Sequence, residues 1–282
     1  MLITKKGHPR SSDSLSVSIV IYRPNLSELE ATISSLAAAC KVMRTTQPGL
    51  PIAFYLVNND DASAPASTLD ALMAASVRCE VISGHGNVGY GRGHNMALDR
   101  STSRFHLILN PDVVLAEEAL ATSVRFFSQH PDVGLVTPWI GTEVGVQQHL
   151  CRRYPSLLDL LIRGFAPASI RQLATRRLAR YEMRDLINDH DIVWDPPIVS
   201  GCFMLFRTDV LKKLGGFDPR YFLYFEDYDL SLRTHDVARV AYVPSVRVIH
   251  HGGGASRKGL AHIRMFAASA FKFYNRFGWR LW

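Results

Sequence analysis

The feature that most constrains this chain is the regular alternation in its first half. Residues 14–22 (SLSVSIVIY) form a β-branched run of strand length, bounded by turn formers, and read as a buried first strand. Ser27-Glu28-Leu29-Glu30 has the Ser-x-x-Glu spacing of a capping box, which predicts a helix opening there and running through an Ala-rich stretch to about residue 45. Pro48-Gly49-Leu50-Pro51 breaks it, and residues 52–57 return to an apolar strand. The pattern repeats: helix over 68–75, strand over 79–82, helix over 92–100, strand over 105–109, helix over 117–129, strand over 133–137. Strands alternating with helices at this spacing predict an α/β fold with a mostly parallel central sheet flanked by helices. Ligands of such sheets sit beyond the carboxyl ends of the strands. Tyr22, Asn58, Gly84 and Asn110 each follow a predicted strand end, so their loops are expected to share one edge.

The second half is less regular. Residues 155–190 are Arg-rich and helical in pattern; 198–207 (IVSGCFMLFR) reads as a strand, 226–234 as a short helix, 239–243 and 246–249 as two strands, and 260–277 as a helix. The net charge of +7 is concentrated rather than spread. Residues 150–184 carry eight arginines against Asp159 and Glu182, and 230–282 carry nine bases against Asp236, while 185–229 carry nine acids against four bases. Four separated cysteines without a CxxC pair read as buried small hydrophobes of a reducing compartment, the cytoplasm. No apolar run reaches the ~18–20 residues of a membrane span, and the polar residues 1–14 read as a tail rather than a secretory signal.

Four segments carry candidate chemistry. Asn110-Pro111-Asp112 puts a carboxylate just past a buried strand, suited either to a divalent cation on phosphate oxygens or to an ordinary Asn-Pro turn. The glycine-rich GHGNVGYGRGHN, residues 84–95, can offer backbone amides to a phosphate or ribose, or be a plain loop. It lacks the dinucleotide GxGxxG register, and the chain has no GxxxxGK[ST]. In Tyr224-Phe225-Glu226-Asp227-Tyr228-Asp229, helical spacing puts Glu226 and Asp229 on one face and Asp227 about 100° away. Asp229 and Arg233 are spaced for an i,i+4 ion pair, while Asp227, among aromatics, is placed for the raised pKa of a general base. The same acids also suit a solvated helix start. His250-His251 before a glycine loop is either a metal ligand or a polar strand end.

Taken in order, VSIVIY, LVNNDDAS, GNVGYGRGHNMAL, LILNPDVVL, SGCFMLFR, GGFDPRYFLYFEDYDL and HHGGGAS resemble the family 2 nucleotide-sugar glycosyltransferases, most closely the bacterial rhamnosyltransferases of cell-wall and O-antigen type. The resemblance covers residues 15–258 and implies a GT-A type, Rossmann-like domain. Residues 15–137 would be its nucleotide-binding half and 138–258 an elaborated acceptor and catalytic half, with 259–282 a separate C-terminal amphipathic helix. It implies an inverting transfer, most simply of L-rhamnose from dTDP-L-rhamnose to a glycan or lipid-linked acceptor. Tyr22, Asn58, Asn59, Asn87, Gly89, Arg92 and Asn110 would line the nucleotide, with Asn58 and Asn110 standing where Asp is common. Asp112 would bind Mg²⁺ or Mn²⁺, completed by His251, which fits the HxxGxS spacing to Ser256 better than His250. Asp227, beside Glu226, would be the base, and Trp194, Asp195 and Gly201 would shape the sugar and acceptor pockets.

Other classes compete: the same fold with another nucleotide sugar; a noncatalytic sugar-nucleotide or glycan-binding module, which the presence of Asp112, Glu226 and Asp227 disfavours; and an NAD-dependent oxidoreductase, which the missing fingerprint disfavours. The basic blocks carry no nucleic-acid motif. The last segment interleaves Phe266, Phe271, Phe273, Phe277, Trp279 and Trp282 with Arg264, Lys272, Arg276 and Arg280. That pattern suits the anionic inner face of the cell membrane, a core-packed helix or a homo-oligomer contact.

Overall fold

The computed structural model describes residues 14–60, 62, 66–252 and 259–282. The expected tail (apart from Ser14) and the Gly253–Ser256 part of the glycine loop lie outside the described residues. One nine-stranded sheet runs through the described chain in the order β3-β2-β1-β4-β8-β6-β9-β5, with β7 pairing β9. Its strands are β1 (Leu15–Ile21), β2 (Ile52–Asn58), β3 (Arg78–Ile82), β4 (Phe105–Leu109), β5 (Val113–Leu115), β6 (Val133–Gly141), β7 (Val193–Trp194), β8 (Phe203–Arg207) and β9 (Arg239–His250). The parallel pairings β2-β3, β1-β2, β1-β4 and β6-β9 and the antiparallel β4-β8 and β6-β8 give six strands one direction, opposed by β5, β7 and β8. The sheet is therefore mostly parallel, as the alternation predicts. Because β8 is inserted between β4 and β6, the two halves of the sequence share one ladder.

The helices are α1 (Leu26–Thr46), α2 (Asp70–Ala74), α3 (Tyr90–Arg100), α4 (Ala119–Gln129), α5 (Leu157–Phe165), α6 (Ala168–Leu173), α7 (Thr175–Tyr181), α8 (Thr208–Lys213), α9 (Glu226–Thr234) and α10 (Leu260–Phe277). β1 is buried over its whole length. One face, Leu15, Val17, Ile19 and Ile21, joins the core made with Leu29, Ile33, Leu36 and Met43 of α1. On the other face Ser16 and Ser18 hold the buried His106 ring at 2.6 and 3.0 Å, and Ser18 also meets His94 Nδ1 at 2.8 Å. Burial, helped by Lys212, pushes His106 down to about 3, so its ring is neutral.

Several elements depart from the sequence reading. The first helix is capped by Asn25, whose side chain accepts from the Ser27 amide at 3.2 Å, and not by Ser27. The two strands expected at 239–243 and 246–249 are one strand, which continues across a register shift between the Pro138 and Trp139 pairings. The strand expected from residue 198 starts at Phe203, after a turn at Gly201-Cys202, and the Arg-rich stretch is three short helices. β5 and β7 are too short to carry a period-2 signal and were not expected.

The α10 helix buries Ala270, Phe273 and Tyr274 against Leu160, Tyr181, Tyr221 and Phe225, so one of its faces is core. The link is electrostatic as well. Asp229, fully buried, pairs with Arg233 at 2.5 Å and with Arg276 of α10 at 2.8 Å. Removing one partner of a buried ionic cluster leaves the other charges uncompensated. Asp229→Ala is therefore expected to lower unfolding free energy by roughly 3–5 kcal/mol in urea denaturation, as for broken buried pairs; a loss no larger than a surface pair's would mean that the triad is not structural.

Candidate active site

The carboxyl ends of β1, β2 and β4 and the start of α3 do converge on one edge. Asn59, buried, donates from Nδ2 to the Gly89 carbonyl at 3.1 Å and to Asn87 Oδ1 at 3.3 Å, while its own Oδ1 is buried without a partner. Asn87 Oδ1 in turn accepts from the Gly89 amide at 3.0 Å. Gly89 has φ +90°, and a methyl group there would fall 2.4 Å from the Phe222 carbonyl oxygen, so the close crossing of these two loops requires glycine. Tyr22 stands half-exposed just past β1. Asn58 is spent on its own loop, accepting from the Asp60 amide and donating to Ala62. Arg92 donates from Nε to the Pro219 carbonyl at 2.7 Å, tying α3 to the loop before α9.

The Asn110-Pro111-Asp112 loop is fixed from three sides. The Asn110 amide donates to Cys202, the Thr32 hydroxyl to the Pro111 carbonyl, and the His251 amide to the Asp112 carbonyl. Asp112 Oδ1 is buried without a partner, and its Oδ2 lies 3.5 Å from His250 Nε2. Burial pushes the Asp112 carboxyl up, but its bonds to His250 and Asn110 outweigh that and leave it below its ordinary value.

The spacing argument favoured His251, whereas the strand register puts His250 opposite Val113 and its ring beside Asp112. The His251 ring instead meets Glu143 at 3.1 Å. Gln148 donates to the His250 carbonyl at 2.7 Å, which turns its Oε1 toward His250 Nδ1, 3.3 Å away. That contact holds Nδ1 on Gln148 and turns Nε2 toward Asp112, the ring nitrogen that a metal-ligating histidine would offer. A side chain on Gly252 would start 2.4 Å from His250 Nε2 and 2.8 Å from Asp112 Oδ2, so glycine keeps this space open. Among the described residues no cluster of three or more His, Cys, Asp or Glu forms a complete metal site. Asp112 and His250 fit a divalent cation that would take its other ligands from phosphate oxygens and water.

The link from this edge to the acidic helix is Tyr90, which sequence reasoning missed. Its hydroxyl lies 2.7 Å from the Gly201 carbonyl and 3.0 Å from Asn110 Oδ1, donating between them. The Gly201 amide donates to Asp227 Oδ2 and the Tyr228 amide to Asp227 Oδ1, each at 3.0 Å. The signal was present in Gly89-Tyr90-Gly91, an aromatic residue between two glycines at a helix start.

Glu226 and Asp227 follow Tyr224 and Phe225, two consecutive non-glycine residues with φ of 71° and 65°. Left-handed backbone of this kind costs about 1–3 kcal/mol per residue and persists where the surroundings enforce it; here Phe225 is locked among Tyr228, Phe266 and Phe273. Glu226 is raised to about 8, by burial and then by the charge of Asp227, and its Oε2 is buried without a partner. Burial raises Asp227 too, opposed by the amides of Gly201 and Tyr228. Those amides favour the Asp227 anion, so the proton of the pair resides on Glu226.

Trp194 and Asp195 do not join this site. They pair with β9 near its start, where Asp195 binds Arg239 at 2.8 Å and Trp194 packs on Phe126 and His130. His250 ends the same strand, more than ~20 Å away at about 3.3 Å per residue. The assignment of these two residues to the sugar pocket is corrected: the short β7 returns the chain to the opposite edge.

Fold and site together define a glycosyltransferase of the GT-A fold. The chain belongs to the family described as glycosyltransferase like family 2, which matches residues 24–275. It is 27% identical over 278 residues to the N-acetylglucosaminyl-diphospho-decaprenol L-rhamnosyltransferase of Mycobacterium tuberculosis, covering 93% of this chain and 84% of that one. It is 24% identical over 207 residues to the rhamnosyltransferase WbbL of Escherichia coli, covering 70% of this chain and 74% of that one. Among solved structures it is similar to S. aureus TarS (TM-score 0.57, 14% identity, 93% of this chain) and to GalNAc-T7 with UDP, GalNAc and Mn²⁺ (TM-score 0.58, 14% identity, 86% of this chain). The chain spans 40% and 44% of those two proteins.

A carboxyl group whose pKa is raised on folding stabilises the fold fully below its unfolded value, here 4.5, and loses that contribution as pH rises through about 8. Glu226→Gln, which is neutral at every pH, is therefore expected to gain stability relative to the native protein between pH 5 and pH 8. Urea denaturation at several pH values checks this; a gap that stays constant with pH would remove the proton from Glu226.

Proposed function

We propose that this glycosyltransferase is an inverting rhamnosyltransferase. It would move L-rhamnose from dTDP-L-rhamnose to a hydroxyl of a glycan or lipid-linked acceptor in cell-surface polysaccharide synthesis. The observation that carries the mechanism is the run of hydrogen bonds Asn110, Tyr90, Gly201 and Asp227, which ties the buried carboxylate of Asp227 to the loop that carries Asp112. The rhamnosyl preference draws support from the names of the two relatives above.

On this reading Asn59, Asn87 and Gly89 line the nucleotide, with Tyr22 and Asn58 at its margin. Asp227 accepts the proton of the acceptor hydroxyl, whose oxygen bonds to the anomeric carbon from the face opposite the diphosphate. The bond from that carbon to the diphosphate oxygen breaks, and the electron pair leaves with the nucleoside diphosphate. Glu226, protonated, keeps the pocket from carrying two adjacent charges. Asp112 and His250 would hold Mg²⁺ or Mn²⁺, which supplies charge compensation on the departing phosphate when bound. Gly201 positions the base, with no side chain to crowd the acceptor.

A panel of dTDP- and UDP-sugars with Mg²⁺ or Mn²⁺ tests the donor: dTDP-L-rhamnose is expected to be hydrolysed or transferred fastest, and turnover of a UDP-sugar alone would overturn the rhamnosyl assignment. Asp227→Asn is expected to keep nucleotide-sugar affinity and lose about 10²–10⁴ in transfer, the usual contribution of a positioned base. Asp112→Ala should instead weaken metal-dependent nucleotide binding. Equal loss of binding in both variants would merge the two roles.

Among the described residues no helix is long and apolar enough to cross a membrane. We assign the protein a peripheral position on the inner face of the cell membrane. The support is the exposed Leu161, Ile170 and Leu173 of α5 and α6, and the exposed Leu281 and Trp282 beside Arg280. The backbone joins these segments, the Leu157 and Leu158 amides donating to the carbonyls of Arg280 and Leu281. Vesicles containing phosphatidylglycerol should sediment the full chain, more weakly with Leu281→Asp/Trp282→Asp and at high salt. Equal recovery with neutral vesicles and with this variant would count against membrane docking.

A further inference from the structure

A cleft of about 660 Å³ opens between α5–α7 and the start of α9, with α10 on its remaining side. Glu226 and Asp227 line it, whereas Asn59, Asn87, Asn110 and Asp112 do not. It therefore reaches the carboxylate pair from the side away from the nucleotide edge, the side from which an acceptor must come in an inverting displacement. Leu160, Phe165, Ile263 and Phe266 supply its apolar wall.

The polar wall is cationic. Arg163, Arg171 and Arg184 line the cleft, and beyond the Glu226–Asp227 pair it has one further carboxylate, Glu182. Glu182 is shared by Arg184 at 2.6 Å, Arg163 at 3.4 Å and, from behind, Arg152 at 4.0 Å. One carboxylate among three guanidiniums leaves positive charge uncompensated. Arg171 is exposed and has no acid within ion-pair distance among the described residues. A neutral sugar requires no such surplus, whereas planar guanidinium forks match the oxygens of a phosphate.

We propose that this cleft is an acceptor subsite for a phosphate-bearing group, in which Arg163, Arg171 and Arg184 hold phosphate oxygens while the acceptor's sugar hydroxyl meets Asp227. The proposal rests on the transferase reading above for its acceptor role; the anion site stands on the cleft itself. Two sources carry the same chemistry: the diphosphate of a polyprenyl-linked sugar and the phosphate of a phosphate-containing polymer. The apolar wall favours the first.

Calorimetric titration of the full chain in EDTA, with farnesyl diphosphate, inorganic pyrophosphate and farnesol as probes, separates these cases. Farnesyl diphosphate is expected to bind and farnesol not. Arg171→Ala should weaken the diphosphate about tenfold, the scale of one hydrogen bond to a charged group. Arg171→Lys should lose less, and Arg176→Ala, which removes the same charge outside the lining, should match the native protein. Pyrophosphate binding as tightly as farnesyl diphosphate, and equally dependent on Arg171, supports the subsite and assigns the phosphate to a polymer. Equal affinity in all these proteins, or displacement of farnesyl diphosphate by dTDP, overturns the proposal. If Arg171-dependent binding is found while no nucleotide sugar is turned over, the transferase reading fails and the subsite stands; turnover without diphosphate binding has the opposite meaning.

Discussion

Two adjacent carboxyl groups, Glu226 and Asp227, are held out of water, and much of the molecule is arranged around the cost of that. An isolated buried carboxylate is expensive, and two in sequence repel each other as well. The structure divides the problem unequally. Asp227 receives two amide hydrogens, from Gly201 and Tyr228, whereas Glu226 has a buried oxygen with no partner. One site is built for an anion and the other for a proton. The Gly201 amide comes from the turn just before β8, the strand that binds the two halves of the sheet. The environment of the proposed base is thus set by the same insertion that makes the sheet continuous.

Backbone strain enters at the same point. Tyr224 and Phe225 hold left-handed conformations that neither favours, and the aromatic cluster of Phe225, Phe266 and Phe273 keeps them there. Two of those rings belong to α10, whose Arg276 also reaches the buried Asp229. The C-terminal helix therefore acts on the site through packing, whatever its outer face meets. The aromatic residues of this C-terminal segment divide by direction: Phe273 and Tyr274 turn inward, while Phe271 and, past the end of the helix, Trp279 and Trp282 remain exposed.

The fold was legible because parallel strands buried on both faces must be written as long apolar runs, and helices between them as 3.6-residue patterns. The bounds of α9 and α10 follow directly from such patterns. The elements that escaped, β5 and β7, are strands of three and two residues whose existence depends on β9. The site was legible where a motif sits at a strand end, as with Asp112 and Asn59. It was illegible where the deciding fact is a register or a distant contact. His250 rather than His251 faces Asp112 because β9 pairs with β5, and Tyr90 reaches Gly201 across more than a hundred residues. Trp194 shows the reverse: proximity in sequence to Gly201 conceals a position at the opposite sheet edge.

The asparagine at position 110 ties these observations together. With an aspartate there, the Tyr90 hydroxyl would bridge a second charge toward Asp227, and the Coulomb repulsion between them would act in a buried, weakly screened setting. Asn110 offers the same acceptor oxygen to Tyr90 without that charge. Its sheet edge is left with one carboxylate, Asp112, beside the His250 ring and its Gln148 partner. The cation site is weaker for it on the proposed reading, and the donor's own diphosphate would complete it. On the proposed reading the nucleotide edge is therefore nearly neutral and the acceptor cleft positive, with the ionised base between them. That ordering lets an anionic acceptor approach Asp227 without opposing a strongly negative metal site behind it.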